Sequence, residues 1–369
     1  MVTTEKIGRR ISQSKWTKIY IALALLQGII IIAIQAAIAS QNTSQGNSLP
    51  SESQSSGLFG TNSSSNNAQL YDDIDSARDR LDRIKWENVA FIGFQIWFVG
   101  MAFDATVYQN AAEVIALALL NIVCAILGGL EVMDGKRWLA VLKSVVNQDP
   151  SLGVTTTYLQ TAFYLEIVLT VLLILFALVF AYVSYEVVRE FGWVIYKKIG
   201  PDVAVQKMYR IVQFFVLALK IDIFIEFLVS VFYFIQFALD AGFQWDTWVM
   251  LIVTIFMLPM LYFGRMTVAA ESHARMLLFV LFQFIVVFEF ILVLRQTLTP
   301  DNYWYTWICF VVLGMVFALG SAILGVWCMH NFDKGLAPYV QRGERKKEQM
   351  AQQEMRDQAS VTSWRIDDD

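Results

Sequence analysis

Five ionisable side chains interrupt segments that are otherwise apolar: Glu166, Lys220, Asp222, Glu226 and Glu289. A charge in hydrocarbon is costly, and where one persists it marks a proton relay, an ion path or an interhelical pair. Lys220, Asp222 and Glu226 share one segment. At 100° per residue, Asp222 and Glu226 stand about 40° apart on one helical face, and Lys220 lies roughly 120–160° away. Lys220 therefore reads as an interfacial residue whose stem lets the ammonium group snorkel to water. Asp222 then sits just inside the boundary, and Glu226 is the deep acid. Two chemistries are open to Glu166, Glu226 and Glu289. They either form a proton- or cation-coupled pathway, or each hydrogen-bonds a neighbouring helix.

The other reactive residue types offer little. His273 and His330 are far apart and form no HExxH or similar ligand spacing. Cys124, Cys309 and Cys328 all lie inside apolar stretches, where a thiol behaves as a small hydrophobe. The chain has no P-loop, no GxSxG and no matched aspartate pair at two span centres. We therefore expect no catalytic site, no metal and no cofactor, and we do not read the chain as an enzyme.

These residues need elements to carry them, and composition says which kind. The 369 residues are 57% hydrophobic and only 16% charged, with a mean hydropathy of +0.52. Soluble domains average about 25% charged residues. A net charge of −4 argues against nucleic acid, which needs a basic footprint. The lipid bilayer is the partner that remains. The fold class expected is all-α, a polytopic transmembrane helical bundle. Apolar windows of about 20 residues predict eight spans, near 19–39, 88–108, 111–130, 159–184, 212–239, 247–264, 276–294 and 304–328.

With both termini cytosolic, nineteen Lys and Arg fall on the cytosolic side and eight on the luminal side. That bias follows the positive-inside rule. The domain plan is then a basic cytosolic tail over 1–18, a first span over 19–39 and a luminal segment over 40–87. A transmembrane hairpin over 88–130 and a luminal loop over 131–158 follow. A five-span core over 159–328 contains a basic cytosolic loop at 185–211, and 329–369 is a cytosolic tail. Lys136, Arg137 and Lys143 oppose the bias, so a re-entrant hairpin over 88–130 is the alternative to two full spans. The first span ends in Ala37-Ile38-Ala39, a pattern open to signal peptidase, but its length favours a retained anchor.

Residues 40–67 form a Ser, Asn and Gln tract too polar to bury a core. It carries two N-x-S acceptors, at Asn42 and Asn62, which makes the chain a candidate glycoprotein. Asn62 is favoured because Asn42 lies close to the membrane. Over 70–87, Leu70, Ile74, Ala77, Leu81 and Ile84 recur at helical spacing. We read this as a solvated amphipathic stalk leading into the second span. Trp16, Tyr20, Trp248 and Trp307 stand at predicted span ends, where amphipathic rings favour the headgroup level. In the last span Gly314, Ala318 and Ala322 repeat every four residues. Such a stripe serves close packing inside a bundle or a homodimer.

The string Phe191-Gly192-Trp193-Val194-Ile195-Tyr196-Lys197-Lys198-Ile199-Gly200, followed by Asp202, Met208-Tyr209-Arg210 and Leu219-Lys220-Ile221-Asp222, resembles an uncharacterised Golgi apparatus membrane protein family of fungi. The similarity extends through the later spans and the Trp364-Arg365-Ile366-Asp367 tail, and it is weakest before span 4. It implies a multi-pass protein of the Golgi membrane, with no activity to carry over. The Gly200-Pro201 break, flanked by Tyr196, Lys197, Lys198 and Arg210, is a candidate surface for protein partners in membrane organisation or trafficking.

Overall fold

In a computed structural model the described residues are 14–49, 65–148, 150, 154–199, 203–233, 245–297 and 305–334. They form eight helices: α1 Lys15–Ser48, α2 Ser65–Tyr108, α3 Ala111–Gln148, α4 Thr157–Ile199, α5 Val203–Tyr233, α6 Trp245–Ala270, α7 His273–Thr297 and α8 Tyr305–His330. Each expected span overlaps one of these helices, and residues 234–239 and 304 of the expected spans lie outside the described residues. Seven of the eight are long and apolar enough to cross a membrane. The exception is α5, whose 31 residues span roughly 46 Å but carry Lys220, Asp222 and Glu226 close together. Helices α2 and α3 both have the length and composition of full spans.

Several boundaries differ from the sequence reading. Helix α1 continues through Asn42 to Ser48, so the polar tract is helical at its start. Helix α3 continues through the expected 131–158 loop as far as Gln148. Helix α4 runs to Ile199, and α5 begins at Val203, so most of the expected 185–211 loop is helix. Backbone hydrogen bonding does not stop where the apolar window ends. A helix goes on until proline, glycine or a cap interrupts it.

The α2–α3 turn shows such an interruption. Gln109 adopts a left-handed φ of 54°, and the Asn110 amide closes back on the Ala105 carbonyl at 2.9 Å. The Asn110 side chain then caps α3. Its oxygen accepts from the Ala112 amide at 3.2 Å, and its nitrogen donates to Glu113 at 2.8 Å. This satisfies helix-end donors that would otherwise be orphaned.

The chain divides into two units. The first comprises Met1–Trp193, Leu228–Gln244 and Leu292–Val312. In it the apolar stripe of the expected stalk is not solvated. Ile74, Ala77, Leu81 and Ile84 are all buried. Ala77 and Leu81 pack with Leu139 and Leu142 of α3 and Leu159 of α4, and Ile74 packs with Val145. Tyr20 is fully buried against Phe180, and Trp307 is buried beside Phe232. These two rings are therefore core rather than headgroup anchors, whereas Trp248 is exposed.

The second unit comprises Val194–Phe227, Trp245–Ile291 and Leu313–Asp369. Gly314 lies so close to α7 that a methyl there would stand 2.6 Å from Phe290 Cε2. Ala318 and Ala322 are buried as well. The small-residue stripe is thus buried within the chain, which accords with close packing inside the bundle, the first of the two roles open to Gly314, Ala318 and Ala322. In both units large apolar side chains face outward, among them Leu178 of α4, Ile255 and Tyr262 of α6 and Phe288 of α7. Glutamines and carboxylates lie within. That distribution suits lipid as the solvent.

Candidate functional site

In the second unit, α5 presents Asp222 and Glu226 inward with no solvent exposure. Their i,i+4 spacing puts both on one face. Lys220 is half-buried, off that face. Glu226 lies within electrostatic reach of Asp222 and of Glu289 on α7. Ser321 of α8 stands against Asp222 and donates its hydroxyl to the Ala318 carbonyl at 3.0 Å. Both Glu226 oxygens and Glu289 Oε2 have no hydrogen-bond partner among the described residues, and neither has the buried amide of Gln283 on α7. Three helices therefore converge on three acids.

Glu166 is not part of this group. It belongs to the first unit, in a second polar cluster that sequence reading missed. There Arg80 of α2, only 6% exposed, forms a buried ion pair with Asp134 of α3 through Nε and Nη2. It also meets Glu87 at 3.6 Å. Glu131 and Glu166 complete the electrostatic neighbourhood of Arg80, and Gln35 of α1 stands beside Glu131. The available signal was that Arg80 and Glu87 are two helical turns apart, along the apolar stripe of α2. Glu131 and Asp134 likewise share one face of α3. All four lie beyond the predicted span ends, and the Lys and Arg count took in Arg80 alone among them.

Three buried amides tie the first helices together. Gln27 of α1 donates to Asn121 of α3 at 3.1 Å and to Gln95 of α2 at 3.4 Å, and Asn121 donates back to Gln27 at 3.0 Å. Gln45 of α1 holds the start of α4. It donates to the Thr155 carbonyl at 2.6 Å and accepts from the Leu159 amide at 3.1 Å.

The remaining expected sites divide as follows. Asn42 lies inside α1 with its side chain fully buried, where a glycan has no room. Asn62, the Trp364-Arg365-Ile366-Asp367 tail and the side chains of Tyr196, Lys197 and Lys198 lie outside the described residues. Arg210 is exposed on α5. Among the described residues, no three of His, Cys, Asp and Glu are arranged to hold a metal ion.

Membrane-length helices, an apolar exterior and a polar interior define a multi-pass α-helical membrane protein. No family model matches the chain, and no solved structure matches it. It is similar to a UPF0658 Golgi apparatus membrane protein of Schizosaccharomyces pombe, with 28% identity over 183 residues. The match covers 47% of this chain and 50% of that protein. The chain thus aligns with about half the length of the curated relative. The expected resemblance to uncharacterised Golgi membrane proteins is borne out by this likeness.

Proposed function

We propose that the chain is a Golgi membrane protein that exchanges protons for a cation across the bilayer, with Asp222, Glu226 and Glu289 as the exchanging groups. The observation that carries this reading is Glu226. It is fully buried, both its oxygens lack a partner among the described residues, and its charge neighbours are two further acids. Purely structural acids in a bundle interior are expected to find a donor on the next helix. A set of acids gathered from two helices, with unused acceptors, suits reversible proton binding. The Golgi location rests on the relative described above. Cytosolic termini, with 40–67 in the lumen, are part of the same proposal and rest on the Lys and Arg bias.

The test uses the full chain in vesicles containing a pH-sensitive dye, with Na+, K+, Ca2+ or Mn2+ salts applied outside. Cation-driven proton efflux that disappears in Glu226→Gln is the expected result. If no cation moves protons through the wild type, or if Glu226→Gln matches it, the exchange reading fails. Membrane organisation through the basic 185–211 segment, with Tyr196, Lys197, Lys198 and Arg210 as partner contacts, then stands in its place.

A further inference from the structure

The Arg80 cluster borders a cavity of about 10 Å³, the size at which an interior space first admits one water molecule. Arg80, Asp134 and Glu166 line it, with Gly135, Trp138 and Leu142 among the walls. On two of the residues that line it, Arg80 Nη1 and Glu166 Oε2 are buried with no hydrogen-bond partner among the described residues. Glu166 is only 1% exposed. A Cβ built on Gly135 would overlap Glu166 Oε2, so glycine at 135 is what leaves the carboxyl its place.

The charges around this space do not balance. From α2 come Arg80, Arg83 and Glu87, from α3 Glu131 and Asp134, and from α4 Glu166, while α1 contributes only the neutral Gln35. Four carboxyl groups thus face two guanidinium groups, and Asp79 also lies within reach of Arg83. An uncompensated buried charge is strongly destabilising. Asp134 and Glu87 are already engaged with Arg80. Glu131 and Glu166 both keep carboxyl oxygens without a partner among the described residues, and of the two only Glu166 lines the water-sized space; water is the smallest carrier that delivers a proton.

We propose that the cavity beside Arg80 is a proton-binding site, and that Glu166 is the residue that takes up and releases the proton there. The proton adds to the Glu166 carboxylate and leaves by the same path, with no other bond made or broken. This site is separate from Asp222, Glu226 and Glu289, and its test is independent of theirs.

Infrared difference spectra of the full chain in nanodiscs, recorded between acidic and neutral buffer, read carboxylic-acid groups directly. Among the carbonyl bands that shift in D2O, one component is expected to persist in Glu226→Gln and to be lost in Glu166→Gln, while the bands of Asp222, Glu226 and Glu289 remain in Glu166→Gln. Acid–base titration should show one proton fewer taken up per chain in Glu166→Gln. Gly135→Ala, which pushes the carboxyl off its seat, should move the band while keeping the proton count. An unchanged spectrum in Glu166→Gln, or a band untouched by Gly135→Ala, overturns the proposal.

Discussion

Replacing Arg80 with Met removes the guanidinium but keeps most of the buried stem. Arg80, Asp134 and Glu87 are each at most 7% exposed at the side chain, so water does not rescue the abandoned acids. Taking one partner from a buried ion pair costs about 3–5 kcal/mol. At ~1.4 kcal/mol per decade, the unfolding equilibrium shifts by roughly two to three and a half decades. Lys85→Met supplies the contrast. Its 2.5 Å pair with Asp82 leaves the two side chains 39% and 59% exposed, and such a pair contributes about 0–1 kcal/mol. A second contrast is Arg80→Met combined with Asp134→Leu, which also takes away the stranded acid. It should lose less than Arg80→Met alone, because apolar replacement of a whole pair is often neutral. The assay is denaturant titration of the full chain in detergent, followed by tryptophan fluorescence. The reasoning is refuted if Arg80→Met unfolds at the same midpoint as Lys85→Met, or if the double variant is the least stable of the three.

Two further outcomes follow from single positions. Gly314→Ala should cost about 1–3 kcal/mol through overpacking against Phe290, whereas Gly320→Ala, where a Cβ meets nothing within 4 Å, should leave the denaturation midpoint unchanged; equal effects would contradict the close α7–α8 approach. Cytosolic termini predict a glycan at Asn62, so glycosidase treatment should shift the wild type on a gel and leave Asn62→Gln unmoved. A protease-accessible, unglycosylated Asn62 on the cytosolic side would invert the orientation.

The spans were legible because a bilayer imposes one dominant rule on sequence, about 20 apolar residues per crossing. Their ends were not, because that rule concerns hydrocarbon thickness rather than helix length. Ile74, Ala77, Leu81 and Ile84 displayed their stripe openly, yet its burial depends on α3 offering Leu139 and Leu142 at the same height. Periodicity shows that a face exists and not what covers it. The face shared by Asp222 and Glu226 was legible for the same reason, since helical geometry places i and i+4 together. Their meeting with Glu289 was not, because it depends on how α5 and α7 pack. Arg80 was the hardest residue to place. A per-residue hydropathy sum assigns it a fixed cost, while its actual cost depends on Asp134, 54 positions away.

The two polar clusters differ in a way that separates stability from exchange. Around Arg80, a permanent cation holds Asp134 and Glu87 in a fixed pairing, and removing it is expected to destabilise the fold. Around Asp222 and Glu226, the interacting groups named among the described residues are acids and a serine hydroxyl, and the proposed exchange has charge there adjusted by gaining or losing protons rather than by a fixed partner. A fixed pair resists change when the pH shifts, whereas acids without one respond to it. For that reason the proposed transport step is placed on α5 and α7, and the expected stability loss on α2 and α3. Glu166 joins the two behaviours, because it lies beside the fixed cation and still keeps an oxygen free of any partner among the described residues.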